Sequence, residues 1–75
     1  MNRNLAVALW YDEIALIMRR VAKADRRLAK AVGGKLVGGA SAESEETRKA
    51  RLLLRVVEIT KHIKEIEAMG ESPNG

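Results

Sequence analysis

The sequence predicts an all-α protein, an antiparallel helical hairpin that dimerises into a four-helix bundle. Three observations carry this. Apolar residues recur every three and four positions over two long stretches, with no Pro or Gly inside either. The stretches are of similar length, and a short glycine-rich segment separates them. Neither stretch shows the strict alternation of a half-buried strand.

The first helix is expected over residues 4–32. Asn2 or Asn4 can cap it by accepting a hydrogen bond from a free N–H of the first turn. With Val7 at position a of a seven-residue repeat, the a and d positions are Val7, Trp10, Ile14, Ile17, Val21, Ala24, Leu28 and Ala31. All are apolar, as expected of a helix packed lengthwise on another helix. Arg26, Arg27 and Lys30 suit the negative end of the helix dipole. Gly33 suits the left-handed position that commonly ends a helix.

Residues 33–42, GGKLVGGASA, form the connection. Their glycines make a permissive linker, and Leu36 and Val37 can tuck over the end of the helix pair. The segment lacks the GxxxxGK[ST] order of a phosphate-binding loop, and no strand precedes it.

The second helix is expected over residues 43–69. Ser41 or Ser44 can cap it, and Glu43, Glu45 and Glu46 suit the positive end of its dipole. Leu52, Val56, Ile59, Ile63 and Ile66 are spaced 4-3-4-3, with Leu53 and Val57 widening the stripe. Gly70 is the expected stop, and residues 70–75 a frayed tail. The whole chain is one domain. In the hairpin, residues 19–32 lie beside 44–56, and 5–18 beside 57–69.

One seam between two helices leaves apolar side chains uncovered. Leu5, Leu9, Trp10, Tyr11, Leu16, Met18, Leu53 and Val57 are the expected interface with a second copy or with a helical protein partner. Each large apolar side chain left in water forgoes about 1.5–3 kcal/mol, a large share of what so small a domain has to spare. Trp10 and Tyr11 are read as packing anchors.

The chain carries 14 Lys and Arg against 10 Asp and Glu, for a net charge of +4. In the hairpin these charges segregate. Residues 19–55 sum to +7 and the remainder to −3. Arg19, Arg20, Lys23, Arg26, Arg27, Lys30, Arg48 and Arg51 are candidate contacts for nucleic-acid phosphates. A solvated helix surface, with some cations paired to acids of the second helix, accounts for the same residues. Antiparallel pairing of two hairpins would also set basic end against acidic end.

Other chemistry finds little material. No Cys excludes disulfides and thiolate metal sites, and a single His disfavours a zinc site. His62 is expected on a helix surface, supported by Glu58 four residues before it. Asp12 and Glu13 are expected to pair with Lys61 or Lys64. Ser41, Ser44 and Thr47 read as capping residues. No cofactor, metal or small-molecule substrate is expected, and the protein is read as non-enzymatic. The longest apolar-rich run, Leu5 to Met18, is too short to span a bilayer and carries an acidic pair. A cytoplasmic location is therefore expected, and the absence of Gln and Cys beside abundant Arg, Glu, Ala and Val suits a thermophilic source.

Overall fold

The computed structural model describes residues 2–70, which form two helices. Helix α1 spans Arg3–Ala29 and helix α2 spans Ala42–Gly70. They lie side by side in a rod of 59 × 15 × 15 Å. The expected frayed tail falls, beyond Gly70, outside the described residues.

Asn2 caps α1. Its Oδ1 accepts from the Asn4 N–H at 2.7 Å and the Leu5 N–H at 3.4 Å. Ser41 caps α2, its Oγ accepting from the Ser44 N–H at 3.4 Å. The alternative candidates, Asn4 and Ser44, are the residues whose amides are capped.

The seam follows the repeat. Ile17, Val21, Ile59 and Ile63 form the buried centre, with Val7, Trp10, Ile14, Leu52 and Val56 packed against it. Ile59 has no solvent exposure. Ala24 is also buried.

Helix α1 ends three residues before the expected boundary, and the connection explains why. Val32 and Lys35 exchange backbone hydrogen bonds, at 2.9 Å and 3.1 Å, across Gly33 and Gly34. Both glycines have positive φ, +59° and +77°, as a tight two-residue turn of this kind requires. Val32 therefore pairs outside the helix, and Ala31 is a half-buried loop residue instead of a seam position. Gly33 belongs to this turn and does not cap α1, whose cap is Lys30. The Leu36 N–H then donates to the Ala40 carbonyl at 2.7 Å, and the Ala42 N–H to the Gly34 carbonyl at 2.9 Å. The linker is a hydrogen-bonded cap. Leu36 is buried in it, whereas Val37 points into solvent at 83% exposure.

Candidate interaction faces and a basic cleft

A helix turns about 100° per residue, so residues seven apart share a stripe. On α1, Tyr11, Met18 and Asp25 share one. On α2, Leu53 and Val57 lie one and two turns beyond Lys49. The Asp25 carboxylate holds Lys49 Nζ at 2.6 Å. That contact places both stripes on the same side of the hairpin. Tyr11, Met18, Leu53 and Val57 are 54%, 42%, 38% and 52% exposed. One side is therefore apolar across both helices, with Ala15 and Ala22 lying in the turns of α1 next to Tyr11 and Met18.

Leu5, Leu9 and Leu16 are also exposed, but they lie elsewhere. Leu9 and Leu16 share a stripe with Lys23, next to the stripe of Arg20 and Arg27, on the opposite side. The α2 residues lying toward that side include Arg48, Arg55 and His62, so this apolar strip is only one helix wide. Trp10 belongs to neither face. It is half-buried in the seam, where its ring stacks on His62 with centroids 5.4 Å apart and planes 16° from parallel. Of the eight side chains grouped together from the sequence, seven thus divide into two faces and a seam anchor, and Leu5 stands on the outer stripe of α1 with Asp12 and Arg19. Heptad spacing alone assigns Trp10 to the seam.

The basic residues divide similarly. Arg20, Lys23 and Arg27 from α1 and Arg48 from α2 line an open cleft of about 360 Å³, with Ala24, Glu45 and Leu52. Glu45 is buried there, and its Oε1 lies 3.7 Å from Arg27 Nη1. Arg20, Lys23 and Arg48 have no carboxylate partner among the described residues. Arg19, Arg26, Lys30 and Arg51 do not line the cleft. The cleft was not legible beforehand, because it depends on which turns of the two helices meet.

Two expected pairings differ. Glu58 bonds Arg55 Nη1 at 3.4 Å, while His62 Nδ1 lies 3.8 Å from Glu65 Oε2. Glu58 is drawn to a permanent cation one turn before it, and the His62 ring is held by Trp10. Asp12 and Glu13 form no ion pair with Lys61 or Lys64 in the described residues. Glu13 stands on the stripe beside Arg20, whereas Lys64 lies on the apolar side and Lys61 faces away from the seam with Leu54. Among the described residues no three His, Cys, Asp or Glu side chains group to hold a metal, and no helix is long and apolar enough to cross a membrane.

No protein family, curated protein or solved structure shows a significant match to the chain.

Proposed function

We propose that this chain is a non-enzymatic, cytoplasmic assembly protein that pairs with a second copy of itself through the apolar side carrying Tyr11, Met18, Leu53 and Val57. The observation that carries the reading is that both helices contribute exposed apolar residues to that one side. A second hairpin laid on it closes a four-helix bundle, the simplest arrangement that covers both helices at once.

Sedimentation equilibrium in high salt tests the reading. The expected mass is twice 8.3 kDa. Met18→Glu with Leu53→Glu is expected to give monomers. Leu9→Glu with Leu16→Glu, on the other side, is expected to leave the dimer intact. A monomeric parent chain would refute the proposal.

The cleft favours a second reading, in which the exposed basic side contacts a nucleic-acid backbone. Four cations line it beside a single buried carboxylate, which lies near Arg27 alone. The cleft is open, as suits an extended polyanion. Neither Trp10, which lies in the seam, nor Tyr11, on the opposite side, supplies a stacking platform, so binding would be indifferent to base sequence. Anisotropy of a labelled random-sequence duplex is expected to show binding that weakens with salt with a slope near −3, for three to four phosphates neutralised. Arg20→Glu with Arg48→Glu should abolish it. Arg19→Glu with Arg26→Glu, the same charge change outside the cleft, should weaken it far less. Equal losses from both pairs would remove the cleft from the account.

A further inference from the structure

We infer that the two hairpins pair antiparallel, about a two-fold axis that crosses the helices at Met18 of α1 and Arg55 of α2, so that Glu46 of each copy meets Lys64 of the other. The inference rests on the self-pairing proposed above and specifies its geometry.

On the apolar side α2 carries two adjacent stripes, Glu46, Leu53, Thr60 and Glu67, and Ala50, Val57 and Lys64; within them Glu46, Leu53, Val57 and Lys64 stand at spacings of seven, four and seven. This pattern is symmetric in position and antisymmetric in charge. Its midpoint is Arg55. A two-fold axis there, lying in the interface and perpendicular to the helices, lays α2 on the second α2 in the opposite direction. Leu53 then faces Val57 of the second copy, and Glu46 faces Lys64. Both charged residues are exposed, and neither has an ion-pair partner within the described residues.

The stripe of α1 has its own centre. Tyr11, Met18 and Asp25 are seven apart, so the midpoint is Met18. The same type of axis sets Met18 on Met18 and brings the Tyr11 hydroxyl opposite the Asp25 carboxylate, which can accept its hydrogen bond. The two centres must lie at one level if a single axis is to serve both helices. Two observed contacts fix that level. Counting six residues from the Asp25–Lys49 pair places Arg55 beside Arg19. Counting seven from the stacked Trp10–His62 pair places it beside Ile17. Met18 lies between them. One axis therefore satisfies both helices, although nothing inside a single hairpin requires their centres to coincide.

The alternative is an axis along the helices, which lays α1 on the second α2 at equal levels. Glu46 of each copy would then approach Asp25 of the other, acid against acid, and the lysines at the far end would gain no carboxylate. Like charges brought together oppose assembly, and opposite charges select the orientation.

The test uses the absence of cysteine from the chain. Met18→Cys, oxidised under mild conditions, is expected to yield a covalent dimer in high yield. In the alternative orientation the two positions lie on different helices and do not meet. Met18→Cys combined with Val57→Cys, the α2 residue of the apolar side near that level, would be the efficient cross-linker in that case, and its success with failure of Met18→Cys alone would overturn the orientation. Charge exchange gives an independent readout. Glu46→Lys and Lys64→Glu should each weaken dimerisation several-fold at low salt, and the two together should restore it. Failure of the double exchange to restore it would overturn the inference. A parent chain that sediments as a monomer would instead remove the pairing itself, so the two failures are distinct.

Discussion

At the residue scale, position in the seam decides what each apolar side chain is worth. Ile59 is fully enclosed by residues of both helices, while Ile66, one turn beyond Ile63, is half-buried. Removing methyl groups from the enclosed site leaves a cavity between two rigid helices, and the surroundings relax only in part. Ile59→Ala is expected to cost about 3–4 kcal/mol, and Ile66→Ala clearly less. Urea denaturation at one fixed protein concentration measures both. Charged residues behave differently. Asp25 and Lys49 are close, but Asp25 is half-exposed, so the main value of the pair here is positional. Trp10 combines both roles, with an apolar ring filling the seam and a flat face against His62.

At the scale of elements, the connection contributes more than its composition suggests. A glycine-rich segment of this length reads as slack. Here each positive-φ turn is tied by a backbone hydrogen bond, and the segment closes the end of the hairpin by burying Leu36. Leu36→Ala is expected to destabilise the fold by about 2–3 kcal/mol, whereas Val37→Ala should stay within about 0.5 kcal/mol. Thermal or urea melts of the two variants make the comparison. Equal effects would mean that the segment is the flexible linker its glycines suggest. The helices themselves are locally consistent. Asn2 and Ser41 cap their N-termini, Glu43 and Glu45 complement the start of α2, and Arg26 and Arg27 complement the end of α1.

At the scale of the whole molecule, a two-helix rod cannot enclose much of its own apolar surface. Its radius of gyration is 17.2 Å, against about 11 Å for a compact chain of this length. The rod has two unlike broad sides. One is apolar across both helices; the other runs from exposed leucines to a cationic cleft. The proposed pairing through the first side leaves the second facing outward on both sides of the bundle. The proposed assembly and the proposed polyanion binding are then separable, which is why variants at Met18 and Leu53 are expected to change mass, and variants at Arg20 and Arg48 only the response to nucleic acid. Coupling between them, with loss of binding in an otherwise folded monomer, would mean that a single cleft binds too weakly alone.

The sequence by itself determined the two helices, a pair of candidate N-caps for each and most residues of the seam. Those depend on contacts between neighbours three, four and seven positions apart, and such spacings are visible along the chain. It also showed that apolar and basic residues exceed what one seam can use. Only the tertiary structure decided which of them share a side. That depends on the register in which α2 returns along α1, and the register is set by contacts far apart in sequence: Asp25 with Lys49, Trp10 with His62, and Leu36 folded over the end. A shift of one residue along a helix turns every later side chain by about 100°. Periodicity therefore could not separate Tyr11 and Met18 from Leu9 and Leu16, nor gather Arg20, Lys23, Arg27 and Arg48 around one cleft.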